Sequence, residues 1–162
     1  MSTHQRASES NEFAGKRVLV TGGTKGIGAA VVARLAIGGA TVLATARAVP
    51  VGGDDQFIQA DVSTPEGAER VTKTTLDRLG GLDILINSVG GSAAPAGGAL
   101  ALKDEHGDQT IQLNLLSAVR LDRGFLPGML QQGSGVIVHV SSIQRKLRCL
   151  RRRWRMRPPR RR

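Results

Sequence analysis

The sequence contains no tyrosine, and it has only three phenylalanines and one tryptophan among its 162 residues. No reaction step in this chain can therefore use a tyrosine phenol as its proton donor. Its single cysteine, Cys149, cannot form an internal disulfide, and no Cys/His cluster has the spacing of metal ligands. These absences predict a protein of a reducing cytoplasmic compartment without a metal site.

Long hydrophobic runs are also absent. No segment approaches the ~20 apolar residues that a membrane-spanning helix needs, and residues 1–11 are polar, with no apolar core of signal-peptide length. The length of 162 residues and the hydrophobic fraction of 40% suit one globular domain. We therefore expect one soluble cytoplasmic domain that does not bind a membrane.

Acidic side chains are missing from the last 18 residues, although the whole chain has 13 of them. Residues 145–162 carry 11 basic side chains, whereas residues 1–144 carry 12 basic and 13 acidic ones, so the net charge of +10 comes from the tail. The tail has no helix or strand periodicity, and its self-repulsion predicts disorder. The expected organisation is a flexible N-terminus (1–14), a domain (15–144) and an arginine-rich tail (145–162).

Short apolar segments rich in β-branched residues alternate with longer segments of helical character, which is typical of βαβ units around a parallel sheet. Runs such as Val18-Leu19-Val20 are apolar at consecutive positions, as expected when helices cover both faces of a sheet. The fold class is therefore predicted as α/β. Strands are expected at 17–21, 41–46, 57–61, 82–87 and 135–141, helices at 26–37, 65–79 and 108–131, and a loop at 90–99.

A glycine-rich segment joins the first predicted strand to the first predicted helix. Glycines permit a tight turn and let the backbone approach a pyrophosphate, while free N–H groups at the helix start favour its negative charge. The strand and helix on either side are the context that a dinucleotide site requires. Candidate binding residues in this segment are Gly22, Thr24, Lys25, Gly26, Ile27 and Gly28.

The spacing Thr-Gly-x3-Gly-x-Gly of this segment resembles that of the short-chain dehydrogenase/reductase family. Two later motifs extend the resemblance over roughly residues 15–147. Asp61-Val62 is similar to the family's pair beside the adenine, and Asn87-Ser88-Val89-Gly90 matches the family's Asn-Asn-Ala-Gly at its first and last positions. The resemblance implies a Rossmann-type doubly wound sheet of order 3-2-1-4-5, without the family's last strands and with the fifth strand as an exposed edge.

The resemblance also implies catalytic residues. Asn114 matches the family's active-site asparagine, which holds a proton-relay water, although a lone helical asparagine is usually only solvated. Ser142, or less favourably Ser141, matches the serine that orients a substrate carbonyl, although serines at strand ends are commonly turn formers. His139 lies between apolar residues of an expected central strand, so we assign it a structural role.

The coenzyme is predicted from charge. NAD-binding members of the family place an acid at the end of the second strand, where it accepts hydrogen bonds from ribose hydroxyls. This sequence has Arg47 there and Lys25 in the glycine loop, which favours NADP over NAD. The alternative is that both cations are ordinary solvated surface charges.

The proton donor expected from the resemblance is missing. In the family, Tyr-x3-Lys follows the serine by about a dozen residues, and this sequence has no tyrosine and no lysine after Lys146. Loss of such a donor commonly costs ~10²- to 10⁴-fold in rate. We expect an oxidoreductase by family, acting on a carbonyl or alcohol substrate that the sequence does not identify, but inactive in this chain. Family members are homo-oligomers, a state that we consider doubtful here.

Two alternatives remain open. In the first, the chain is a non-catalytic NADP-binding module. In the second, the tail is an evolved binder of nucleic acid or anionic membranes, and the affinity of the tail falls steeply as the salt concentration rises. We do not expect specific nucleic-acid recognition, but arginine clusters bind phosphates non-specifically.

A shift of reading frame after about Leu147 accounts for the composition of the tail, because a GC-rich frame read out of register yields Arg and Pro. One permitted coding of residues 148–162, read two bases later, gives Leu-Pro-Glu-Ala-Thr-Val-Ala-Tyr-Ala-Ala-Ala-Lys-Ala-Ala. The shifted tyrosine codon spans Arg155 and Met156, about 13 positions beyond Ser142. The free bases were chosen to favour this result, but the Met156 codon fixes two of the tyrosine bases.

Sequencing the encoding gene tests this hypothesis. We expect TAT across the junction of the Arg155 and Met156 codons, followed after three intervening codons by a lysine codon in the same shifted frame. Any other triplet at that junction rules out the frameshift.

Overall fold

The computed structural model of the protein describes residues 11–49, 52, 55–92, 94–95 and 97–142. Residues 1–10 of the predicted N-terminus and the predicted tail at 145–162, with Cys149, lie outside the described residues. Residues 11–15 form a turn against the domain, where the Phe13 N–H donates to the Gly38 carbonyl over 2.7 Å. The Phe13 ring also lies 5.4 Å from the Arg34 guanidinium carbon. The packed part of the chain therefore includes residues that the sequence assigned to a flexible segment.

Five parallel strands form one sheet in the order β3-β2-β1-β4-β5, as predicted. None of the described helices is both long and apolar enough to cross a membrane. The elements are β1 (Arg17–Thr21), α1 (Gly26–Ile37), β2 (Thr41–Ala46), β3 (Phe57–Gln59), α2 (Pro65–Leu79), β4 (Ile84–Asn87), a 3₁₀ turn (Gly98–Ala101), α3 (Asp104–Ile111), a π-helical turn (Gln112–Leu116), α4 (Ser117–Gln131) and β5 (Val136–His139).

Helices cover both faces of the sheet, because successive residues of a strand point to opposite sides. On one face, Leu19 and Leu85 pack with Val71 of α2 and with Leu121 and Phe125 of α4. On the other face, the apolar strand residues pack against α1, and this cluster contains Val18, Val20, Val32, Leu35, Val42, Ala44 and Ile86. The consecutive apolar residues of β1 thus supply both cores, as the sequence indicated.

Three strands are shorter than predicted. β3 ends at Gln59 because Asp61 begins a turn, in which its Oδ1 accepts from the Ser63 N–H over 3.0 Å and from the Ser63 hydroxyl over 2.6 Å. β4 begins at Ile84 rather than at residue 82, and β5 spans Val136–His139 rather than 135–141. The core of each strand was predicted, whereas its ends depend on side-chain contacts.

The helix predicted at 108–131 begins earlier and is interrupted. It begins at Asp104, where His106 Nδ1 accepts from the Lys103 N–H over 3.0 Å and so caps α3. The π-helical turn then separates α3 from α4, because Asn114 Nδ2 donates over 2.9 Å to the Thr110 carbonyl, which the Asn114 N–H would bond in a regular α-helix. The predicted loop at 90–99 also runs into the 3₁₀ turn.

An ion pair joins β1 to the segment before β4. Arg17 Nη2 lies 2.9 Å from Asp83 Oδ1, and Arg17 Nε donates to Oδ2 over 3.0 Å. The Arg17 backbone N–H donates to the same Oδ2 over 2.8 Å. The hydrogen bonds from the Arg17 side chain lower the pKa of Asp83 to about 2, and partial burial opposes that shift. This pair therefore stabilises the folded chain as long as Asp83 is ionised.

The depressed pKa of Asp83 predicts a loss of stability in acid. Its contribution of up to about 2 kcal/mol is fully present above pH ~4 and disappears as the pH falls toward 2, because protonation breaks the pair. We expect Asp83→Asn to lower the free energy of urea unfolding at pH 7 by about 1–2 kcal/mol and to have little effect near pH 2.

The matched control is Asp77→Asn, which removes an exposed pair with Lys73 on α2. Exposed pairs of this kind contribute little to stability, because water and salt screen their attraction. Equal effects of the two substitutions at pH 7, or an Asp83→Asn effect that does not change with pH, would contradict the assignment.

Candidate functional site

A cleft of about 620 Å³ opens at the carboxyl ends of the strands. It lies beside the ends of the neighbouring strands β1 and β4. The chain continues from β1 toward β2 and from β4 toward β5, in opposite directions along the sheet, and doubly wound sheets bind ligands at such a switch point. Its walls come from the glycine loop, from the segments after β2, β3 and β4, and from one residue each of the π-helical turn and the end of β5. The lining residues are Gly22, Thr24, Lys25, Ile27, Gly28, Thr45, Ala46, Arg47, Ala48, Ala60, Asp61, Val62, Ser88, Val89, Gly90, Leu113 and Val140.

Most of the binding residues predicted from the sequence line this cleft together. They are Gly22, Thr24, Lys25, Ile27, Gly28, Arg47, Asp61, Val62 and Gly90. Gly26 lies in the same loop without lining the cleft, and the lining also leaves out Asn87, Asn114 and Ser142. The structure therefore brings nine of the eleven predicted binding residues to one cleft, whereas neither predicted catalytic residue is part of its lining.

The glycine loop has a backbone that side chains would block. A Cβ atom on Gly28 would lie 2.2 Å from the Gly22 carbonyl oxygen, so α1 approaches the end of β1 as closely as only glycine allows. Gly22 itself has φ of 71°, which glycine adopts without strain. At the start of α1, Lys25 makes no side-chain capping bond. The first N–H groups of this helix therefore lack a side-chain acceptor and can bind an anion, so the loop fits a pyrophosphate.

Two buried threonines hold the floor of the cleft. Thr21 Oγ1 accepts from the Ser88 N–H over 2.9 Å and from the Val89 N–H over 3.1 Å, which ties the end of β1 to the segment after β4. Thr45 Oγ1 accepts from the Gly22 N–H over 3.3 Å, which ties β2 to the glycine loop. Neither threonine was among the residues predicted from the sequence. The sequence feature that could have identified them is a polar side chain near the end of a mostly apolar strand.

Three charged side chains line the cleft. Lys25 and Arg47 are exposed, and Gln59 Nε2 fixes the backbone of the latter by donating to its carbonyl over 3.0 Å. A hydrogen bond from the Ser63 hydroxyl lowers the pKa of Asp61, partial burial opposes that shift, and the Arg47 charge adds a smaller lowering. The cleft lining thus contains one carboxylate and two cations, and Arg47 lies close enough to Asp61 to affect its pKa.

The Asn114 side chain joins the π-helical turn to the segment after β4. Its Oδ1 accepts from the Gly91 N–H over 3.0 Å, and its Nδ2 donates to the Gly91 carbonyl over 2.8 Å. A Cβ atom on Gly90 would lie 3.0 Å from the same Oδ1, so that glycine allows the close approach. The amide therefore positions the cleft wall, and its predicted role in holding a water stays a prediction.

Asn87 and His139 differ from expectation. Asn87 is buried, and its Nδ2 donates to Asp122 Oδ1 on α4 over 2.8 Å instead of facing the cleft. β5 is the edge of the described sheet, as the family resemblance implied, so His139 is not enclosed in a central strand as expected, and 53% of its side chain is exposed. Its Nε2 lies 3.4 Å from Asp122 Oδ2, which supports a structural contact.

The serines at the end of β5 lie just beyond the cleft. The Val140 N–H donates to the Asn87 carbonyl over 2.9 Å, and among the described residues Val140 is the last along the chain that lines the cleft. Ser141 and Ser142 follow and are exposed. The choice of Ser142 as a catalytic residue stays a prediction. Over the described part of the chain, no group of three or more His, Cys, Asp or Glu side chains is arranged to hold a metal ion.

Comparison with known proteins identifies the family. The short chain dehydrogenase family matches residues 16–150. A fatty acyl-CoA reductase of Mycobacterium tuberculosis is 35% identical over 144 residues, which cover 81% of this chain and 48% of the relative. The chain spans about half the length of the curated relatives it matches.

Solved structures agree in fold. The L-sorbose reductase of Gluconobacter frateurii, complexed with NADPH and L-sorbose, superposes with a TM-score of 0.73 at 32% identity and covers 83% of this chain and 55% of its own. The NADH-dependent reductase A1-R′, complexed with NAD, superposes with a TM-score of 0.74 at 26% identity and covers 82% and 62%. The glycine loop, the strand order and the family match over residues 16–150 together show that this chain belongs to the short chain dehydrogenase family.

Proposed function

We propose that the chain binds NADP(H) in the cleft, as the nucleotide-binding part of an oxidoreductase that transfers a hydride between this coenzyme and a carbonyl or alcohol substrate. The observation that carries the proposal is the uncapped start of α1, packed against the Gly22 carbonyl beside two exposed cations. An anionic dinucleotide is the ligand that such a helix start and such charges favour.

Each part of the coenzyme has a matching group in the cleft. The first N–H groups of α1 would hold the pyrophosphate, and Asp61 with Val62 would border the adenine. Asp61 Oδ1 accepts both bonds from Ser63, so the turn itself holds this carboxylate in place. Val89 and Val140 supply apolar surface at the end of the cleft that would face the nicotinamide.

The preference for NADP rests on Lys25 and Arg47. A 2′-phosphate placed at the end of β2 would contact the Arg47 guanidinium. In the NAD-binding pattern, an acidic side chain at the same place accepts hydrogen bonds from the free ribose hydroxyls. The solved relatives include one complexed with NADPH and one complexed with NAD, so the family alone leaves both coenzymes open. The charges of this cleft favour the phosphorylated one.

For catalysis we propose binding without turnover. The bound coenzyme would supply or accept the hydride, and Ser142 would orient the substrate carbonyl. The residues that this sequence offers beyond Ser142 include no tyrosine to donate the proton. A reduction that places negative charge on the carbonyl oxygen then lacks its activated acid, and general-acid catalysis commonly contributes ~10²- to 10⁴-fold.

The coenzyme preference is tested by titrating NADPH and NADH and following their fluorescence. We expect NADPH to bind at least about tenfold more tightly, and Arg47→Asp to remove that preference, because a charge-assisted contact to the phosphate is replaced by repulsion. Arg70→Asp, a change of the same charge on the exposed side of α2, serves as the control and leaves both affinities unchanged.

Gly28→Ala provides the negative control for the cleft, because its Cβ would lie 2.2 Å from the Gly22 carbonyl oxygen and both coenzymes would lose binding. Equal affinities for NADPH and NADH in the unaltered chain would refute the preference. Absence of binding to either coenzyme would refute the proposed function.

The catalytic part of the proposal is tested with a reductase assay on a panel of carbonyl compounds, following NADPH oxidation. This chain is expected to show no turnover above background. A chain whose codons from Arg148 onward are read in the alternative frame is expected to regain it, because the coding proposed for that frame contains Tyr-x3-Lys. Turnover by the unaltered chain would disprove the claim that it lacks its acid.

A further inference from the structure

Arg120 on α4 makes two hydrogen bonds to uncharged groups in different parts of the chain. Its Nη1 donates to the Ser63 carbonyl over 2.9 Å, and its Nη2 donates to Gln112 Oε1 over 2.6 Å. The side chain is half-buried. One guanidinium thus bridges the turn after β3 and the π-helical turn. Its two acceptor residues, Ser63 and Gln112, are 49 positions apart in the sequence.

The two bridged segments form opposite walls at one end of the cleft. A second hollow of about 420 Å³ lies between them and shares Arg47, Asp61 and Leu113 with the main cleft. Ser63 and Gln112 both line this hollow, whereas Arg120 lines neither cavity. Any effect of Arg120 on a ligand must therefore pass through the residues that it holds.

Arg120 is connected through one residue, Ser63, to the Asp61 carboxylate, and Asp61 lines both cavities. Arg120 fixes the Ser63 carbonyl, and the N–H and hydroxyl of the same serine both donate to Asp61 Oδ1. On the other wall, Gln112 begins the π-helical turn in which Leu113 faces both hollows. Movement of either wall would change the separation of Asp61 and Leu113.

We propose that Arg120 is a positioning residue that sets the width of the adenine end of the coenzyme cleft, an inference that rests on the proposed function. A guanidinium presents its N–H groups in a fixed planar fork, so the two acceptors are held at a defined separation. A lysine has the same charge on one mobile ammonium and cannot reproduce that fork. The contribution of Arg120 is therefore its geometry, since both of its acceptors are uncharged.

The attachment of α4 to the domain does not depend on Arg120. Leu121, Phe125 and Met129 on the same helix are buried in the core cluster. Removal of the fork should therefore loosen the two walls while the helix stays packed. This distinction separates a positioning role from a general contribution to folding.

The test compares Arg120→Lys with Arg123→Lys, a matched substitution at an exposed arginine of the same helix. Calorimetry or NMR titration would measure binding of adenosine 2′,5′-bisphosphate, which represents the adenine half, and of reduced nicotinamide mononucleotide, which represents the other half. Arg120→Lys should weaken binding of the adenine half about tenfold and leave the nicotinamide half unchanged, since two charge-assisted bonds lose their geometry. Arg123→Lys should change neither.

A second measurement does not depend on any ligand. Hydrogen exchange of the amides at Ser63 and Thr64, which donate to Asp61, should become faster in Arg120→Lys, while exchange within the core-facing turns of α4 stays the same. An unchanged rate at these amides overturns the inference. Equal loss of both coenzyme halves, or faster exchange throughout α4, also overturns it, because either result marks a general loosening of the domain.

The two proposals fail in different ways. If the unaltered chain binds neither NADPH nor adenosine 2′,5′-bisphosphate, the proposed function is wrong, and so is any role of Arg120 in coenzyme binding. If the unaltered chain binds both and Arg120→Lys binds them with the same affinity, only the present inference is wrong.

Discussion

The approach of α1 to the end of β1 determines the geometry of the whole site. Gly28 faces the Gly22 carbonyl at a distance that admits no side chain, so the helix start stands directly above the turn that leaves the sheet. That contact points the free N–H groups of the helix into the cleft. The threonine bonds from β1 and β2 then fix the turn and the neighbouring segment after β4. Without the close approach, the same residues would surround no anion-binding surface.

Local sequence signals identified this part of the molecule because its requirements are local. A strand that is apolar at consecutive positions, a glycine loop and a helix with glycines at its end are each specified by a few neighbouring residues. The parallel order followed from the family resemblance and from the alternation of strands and helices. Lys25, Arg47 and Asp61 could be placed in one site because each follows a strand, and strand ends of a parallel sheet share one edge.

The remaining features depend on contacts between distant residues. Asn87 was expected in the cleft, but Asp122 on a helix 35 positions later draws its amide away. The π-helical turn arises because the Asn114 amide bonds both the Thr110 and the Gly91 carbonyls, and the periodicity of the helix shows no sign of it. The Arg120 fork and the Thr21 bonds are likewise visible only once the chain is folded. Such residues have ordinary patterns in sequence and acquire their role from tertiary packing.

The position of β5 has a kinetic consequence. Its pairing with β4 joins residues 52 positions apart, as between Ile84 and Val136, and β4 itself pairs with β1 across 66 positions, so these two ladders close the longest loops in the described sheet. Pairings of high sequence separation cost the most chain entropy and tend to form late. The strand also has one neighbour, and its valines remain partly exposed. The glycine loop and the segments after β2 and β3 thus belong to the part of the sheet with the shorter-range pairings, while β4 and the segment that carries Ser142 depend on the two ladders of high sequence separation.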